Sequence, residues 1–214
     1  MYALERVIFN QDLFFILLVI SFFIIAILKA FYWKFTRLLF LGVFRQRYAN
    51  QYLREDNAFT ERVSVLTLLL AVFNFSILGM KLKNQSTLED FLILLIILSL
   101  FYMLKYLSIR FLGSTFLIRE LATLAIFFSF LFDRVMAICI FPLLILVFFS
   151  VLSVKSIIVN FCLLLLCSFL VLKLFWLWRI GTNSFGLSSL YIFLYLCMLE
   201  IFPLAILAKG LFLK

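Results

Sequence analysis

Glu200 stands in the middle of "LYIFLYLCMLEIFPLAILAKG", Leu190 to Gly210, a run that is otherwise almost wholly apolar, and Pro203 follows three residues later. In a helix from Leu187 to Ala208, rising about 1.5 Å per residue, Glu200 falls close to the midpoint. A lone charge at that depth in a bilayer is costly. The cations nearest in depth, Lys105 and Lys173, sit towards the ends of their runs, where lysine can snorkel to the headgroups. The sequence therefore predicts a protonated Glu200 that donates a hydrogen bond. Pro203 supplies one acceptor: it has no N–H, so the carbonyl of Leu199 loses its helical partner. Asn74 and Tyr102, at similar depth in other runs, are further partners, and Tyr195 lies on the same helix in an aromatic and cysteine stripe that reads as packing. Such a group does one of two things. It carries a proton or ligand at a flexible helix, or it locks helices together by a structural hydrogen bond.

Asp133, Arg134 and Pro142 form a second constellation. Asp133 and Arg134 read as headgroup anchors at a span end, with Arg119 and Glu120 as candidate partners. Pro142 frees the carbonyl of Ile138 and offers a kink.

Other chemistry is excluded by what is missing. The chain has no histidine, which removes His-based triads and the H-E-x-x-H metal site. No P-loop or dinucleotide fingerprint occurs. Cys139, Cys162, Cys167 and Cys197 all lie in apolar runs, lack zinc-ligand spacing and read as small buried hydrophobes. No catalytic residue, cofactor or metal is expected, and no enzyme.

The elements that must position these groups follow from composition. Of 214 residues, 67% are hydrophobic and 14% charged, whereas soluble domains hold about 25% charged residues. Several runs approach the roughly 20 residues needed to cross a bilayer. The expected fold is all-α: one polytopic transmembrane helical bundle over 1–214, with interfacial amphipathic helices. Spans are read at Leu13–Leu28, Val63–Met80, Phe91–Ile109, Val135–Leu152, Ile157–Trp178 and Leu187–Ala208. Residues 29–61 form a basic cytoplasmic or interfacial segment, interrupted by Gly42. The N-terminus lacks a basic n-region and a small-residue cleavage site, so the first span is expected to be retained.

Ser114 to Arg134 is the ambiguous stretch. Only twelve residues separate Glu120 from Asp133, about 18 Å of helix against a core of about 30 Å. Read as interfacial it gives six crossings; read as spanning it gives seven. Counting Lys and Arg gives thirteen inside against six outside either way. A hairpin at Asp133-Arg134 would need a breaker, and "FSFLFDRVMAICIF" has no Gly, Pro or Asn. Six crossings are therefore preferred, with Ser114–Phe132 lying at the interface and bending into the next span. Both readings place 29–62 in the cytoplasm and the N-terminus in the periplasm.

The end of the chain, Tyr191, Phe193, Tyr195, Cys197, Glu200, Pro203 and Leu204, follows Y-x-F-x-Y-x-C-x-x-E-x-x-P-L. It resembles an uncharacterised integral-membrane family of Bacteroidota, catalogued as a domain of unknown function. "FDRVMAICIFPLL" is similar to a second family pattern, Asn or Asp then Arg, with proline eight residues on. Asp133 stands where Asn is commoner, and Ala137 or Ile138 where Gly is common. The stretch from "NQDLFF" to "YLREDNAF" resembles the family more loosely. The resemblance implies a multi-pass protein of the bacterial inner membrane and implies no activity.

The sequence therefore points first to a non-enzymatic subunit or assembly factor of a cell-envelope complex, with the lipid bilayer and a membrane protein or second copy as partners and no nucleic acid. The alternative is a small proton-coupled carrier centred on Glu200. Against the carrier stand a single deep acid and no visible internal repeat.

Overall fold

The computed structural model describes residues 2–55, 58–83, 87–115, 119–150, 152–185, 200–202, 205 and 209. The helices in chain order are α1 (Tyr2–Phe31), α2 (Trp33–Phe44), α3 (Gln46–Arg54), α4 (Ala58–Leu82), α5 (Leu88–Thr115), α6 (Arg119–Phe149) and α7 (Leu152–Phe185). There is no strand among the described residues. Apolar runs of this length in lipid must satisfy every backbone N–H and C=O internally, which the helix does. Five of these helices are long and apolar enough to cross a bilayer: Asp12–Phe31, Ala58–Leu82, Leu88–Phe111, Thr123–Phe149 and Ile157–Arg179. The expected sixth span, Leu187–Ala208, lies outside the described residues apart from 200–202 and 205.

Local chemistry sets the breaks. Thr87 caps α5: its hydroxyl accepts from the Asp90 N–H at 3.2 Å and donates to the Asp90 carboxylate at 2.6 Å. Glu89 and Asp90 place negative charge in that first turn. The basic segment is two helices rather than one, and it breaks at Arg45, which is extended (φ −137°, ψ 119°), rather than at Gly42. Gly42 instead packs on α3. A Cβ there would meet Ala49 backbone at 3.4 Å, so glycine permits the close approach of α2 to α3. Lys34 and Gln51 both donate to Glu55, at 2.9 and 3.1 Å. The Lys34 hydrogen bond, helped by Gln51, holds that carboxyl below the ordinary carboxylate range.

The stretch expected to lie at the interface and bend into the next span has no break at Asp133-Arg134, as expected, but its apolar window already starts at Thr123. α6 runs unbroken from Arg119 to Phe149, through Asp133-Arg134 and Pro142, and its apolar window is Thr123–Phe149. Two physical reasons account for this. The sequence holds no breaker there, and the charge on Asp133 is met by lysines from other helices, so it does not have to reach the headgroups.

α4 and α6 are the centre of the bundle, each with 61% of its span buried, against 33% for α1, 22% for α5 and 11% for α7. The core has two layers. One joins Leu28, Val63, Leu70, Phe127, Phe128, Leu131, Phe132 and Leu177 with Leu39, Val43, Ala49 and Tyr52 of α2 and α3. The other joins Phe14, Leu17, Ile77, Met80, Phe91, Ile140, Leu144 and Phe148. The first is therefore the basic end of the bundle, where α1, α5 and α7 finish and α4 and α6 begin. Tyr52 plugs that end: its ring stacks on Phe127 at 5.5 Å, and its hydroxyl donates to the Thr60 carbonyl at 2.9 Å.

Candidate functional site

Most hydroxyls in these spans are satisfied locally. Thr67 donates to the Val63 carbonyl, Ser76 to Val72 and Ser168 to Leu164, each four residues back on its own helix. Ser129 does otherwise. It sits on α6, fully buried, and donates across the bundle to Oε1 of Glu200.

Glu200 lies in a helical turn at 200–202 and is 2% exposed. Its Oε2 accepts from Lys105 Nζ of α5 at 2.8 Å and lies 2.9 Å from Lys173 Nζ of α7. Lys173 also donates to both carboxylate oxygens of Asp133 on α6, at 2.9 and 3.0 Å. Lys105 Nζ lies 3.8 Å from Asp133 Oδ2. Two ammoniums and two carboxylates thus balance inside the bundle, held by four separate segments. Such bonds between ionised groups are roughly twice as strong as neutral ones, and the low local dielectric strengthens them further.

Phe130 floors the cluster. Lys105 Nζ is 5.5 Å and the Arg134 guanidinium carbon 5.9 Å from its ring centroid. Arg134 is buried, and its Nε has no hydrogen-bond partner among the described residues. Lys105 lies six residues before the end of its span at Phe111, and Lys173 six before Arg179. Both are therefore about 9 Å inside the basic end. The network is deep enough to be desolvated and closer to that end than to the other.

Several expectations are corrected. Glu200 is paired with two lysines and Ser129 rather than with Asn74 or Tyr102. Lys105 and Lys173 do not snorkel; their side chains are 3% and 5% exposed. The helix ends beyond them already carry Arg110, and Trp178 with Arg179, as interface anchors. Asp133 and Arg134 are not anchors at a span end but lie ten and eleven residues inside Thr123–Phe149. Glu200 is also not the single deep acid, because Asp133 shares its lysine.

Asn74 belongs to a different site. It is fully buried between the two core layers, accepts from Ser21 of α1 at 2.7 Å and donates to the Ala137 carbonyl of α6 at 2.9 Å. The acceptor is the neighbour of Ile138, the carbonyl that Pro142 leaves free four residues on. Tyr102 is buried, and its ring packs against Phe130 at 5.7 Å, tilted by 40°. Pro203 and Tyr195 lie outside the described residues, as do the side chains of Arg119 and Glu120.

The pairing of the two lysines is not visible along their own runs, and nothing local marks Ser129 or Ser21. The available signal was that Lys105 and Lys173 stand at matching depth on two spans that each have another cation to anchor them. Among the described residues no group of three or more Cys, Asp or Glu side chains is gathered that could hold a metal. The cluster can hold and exchange protons. A proton on Glu200 would leave Asp133 as the carboxylate facing both lysines.

No curated protein and no solved structure matches the chain. A family model does: with residues 14–211 matched, the chain belongs to the family described as Domain of unknown function (DUF4271).

Proposed function

We propose that this is a non-enzymatic, multi-pass protein of the inner membrane of a Bacteroidota-type envelope, and that it works as a small proton-coupled carrier centred on Glu200. The observation that supports this reading is the Glu200 carboxylate shared by Lys105 and Lys173 while Asp133 competes for Lys173. Ionisable groups inside a membrane are expensive, and they mark proton and ion paths. Apolar packing could replace a purely structural network at no loss, since exchanging a buried ion pair for well-packed hydrophobes is often neutral or stabilising. Four charges kept at one depth are better explained by use than by stability. In this reading the basic α2–α3 end is cytoplasmic and the N-terminus periplasmic, in line with the seven Lys and Arg between Lys29 and Arg62.

The second reading is a subunit or assembly factor of an envelope complex. It is favoured by the apolar faces that α5 and α7 leave open, including Ile93, Ile96, Leu100, Phe161, Leu164 and Phe175, which a partner span could cover. One chromosomal variant separates the two. Glu200→Gln with Lys105→Met removes one anion and one cation together. The carrier reading predicts normal protein level and the phenotype of the deletion. Wild-type behaviour at normal level, with a stoichiometric partner co-purifying in mild detergent, would favour the assembly role.

A further inference from the structure

The α3 helix carries a second cluster of polar side chains, apart from the charge network. Its sequence, "QRYANQYLR", has two faces. Ala49 and Tyr52 are buried in the basic end of the bundle, while Arg47, Asn50, Gln51 and Arg54 are exposed. Those four are at positions i, i+3, i+4 and i+7, so they share one face over two turns. Together they line an open surface groove of about 410 Å³. Among the described residues its lining offers two guanidiniums and two carboxamides and no carboxylate. Among the described residues the adjoining acid is Glu55, whose carboxylate accepts from both Lys34 at 2.9 Å and Gln51 at 3.1 Å, so the two guanidiniums and Asn50 are the donors left to a ligand. This donor set matches a phosphate oxyanion, which arginine binds in a bidentate way.

The surroundings say which phosphate. Phe31 (78% exposed), Trp33, Phe44 (70%) and Phe59 are open large apolar side chains at this same end, beside Lys29, Lys34, Arg37 and Arg45. Tryptophan and phenylalanine mixed with cations belong at the boundary of headgroups and acyl chains. A soluble phosphate or an acidic peptide would need the arginines but not the aromatics. We propose that the Arg47–Arg54 face of α3 is a binding site for the phosphate of an anionic phospholipid headgroup, and that the exposed aromatics seat the same end in the acyl boundary. The site is independent of the proton reading, because none of its residues touches the charge network.

The test uses the full-length protein, delipidated in mild detergent and followed by native mass spectrometry. Phosphatidylglycerol is titrated against phosphatidylcholine. The wild type should retain phosphatidylglycerol in preference, and Arg47→Gln with Arg54→Gln should weaken that preference roughly tenfold or more. Asn50→Asp, which adds one negative charge at an exposed position, should weaken it too. Arg179→Gln, an exposed cation at the same end on α7, should leave it intact. Equal retention of the two lipids, or a preference unchanged in both α3 variants, overturns the proposal. Displacement of the lipid by glycerol phosphate at equal concentration would make this a soluble-phosphate site, and displacement by a polyglutamate peptide would make it a docking face for protein. Either result also overturns it.

Discussion

Neutralising Glu200 alone should damage the protein more than neutralising Glu200 and Lys105 together. In Glu200→Gln, Lys105 and Lys173 face a single described carboxylate, Asp133, which is 3.8 Å from Lys105. An uncompensated ammonium is then left inside the bundle, and breaking one side of a buried pair costs about 3–5 kcal/mol. The double variant Glu200→Gln, Lys105→Met leaves the Lys173–Asp133 pair intact at 2.9 Å, restores the balance of charge and replaces a lysine by a side chain of similar length. Thermal unfolding of the purified proteins in one detergent should show most of the lost stability recovered. Two losses that simply add would mean that the residues are not coupled. It follows that glutamine at 200 by itself does not report on proton transfer, because its first effect is on folding.

The next largest effect is expected at Asn74. Asn74→Ala removes a side chain that joins α1 to α4 and α4 to α6 between the core layers. Leaving a buried polar partner without its bond costs about 1–3 kcal/mol. In membranes, hydrogen bonds between helices have averaged nearer 0.6 kcal/mol, roughly. Ser21 can turn back to a carbonyl of its own helix, as Thr67 and Ser76 do, so the loss should lie near about 1–2 kcal/mol. The Ala137 carbonyl keeps its place in the α6 backbone ladder and limits the damage. Unfolding in increasing denaturing detergent measures this, and a loss as large as that of Glu200→Gln would place the main lock of the bundle here instead of at the charge network.

How much of this was legible in the sequence depends on what each residue needs to be recognised. Apolar run length is a local property, and α1, α4, α5 and α7 lie where the runs put them. Asp133 broke the pattern. A charge in a run reads as the end of a span only when no partner is known, and its partner, Lys173, is forty residues away. The same blindness turned Lys105 and Lys173 into snorkelling residues, since depth along one helix says nothing about an acid on another. Glu200 could be singled out because it stands alone in its run, and its pairing could not, because three of its partners come from three different helices. Gly42 marks an interruption by its propensity, whereas its use is to let α3 fold back closely on α2.

The central claim is that Glu200 changes protonation in the folded protein. Infrared difference spectroscopy between neutral and acidic pH tests it most directly, on reconstituted protein with isotope-labelled glutamate. The double variant Glu200→Gln, Lys105→Met serves as the subtraction reference. Among the described residues Glu200 is met by Lys105 from α5, Ser129 from α6 and Lys173 from α7, with Asp133 of α6 on the far side of Lys173, and all but Lys105 remain in that reference. The account predicts a carboxylic-acid C=O band that grows on acidification while the protein stays folded, present in the wild type and absent from the reference. A Glu200 that remains a carboxylate at every pH up to unfolding would contradict it and leave the network as a structural clamp.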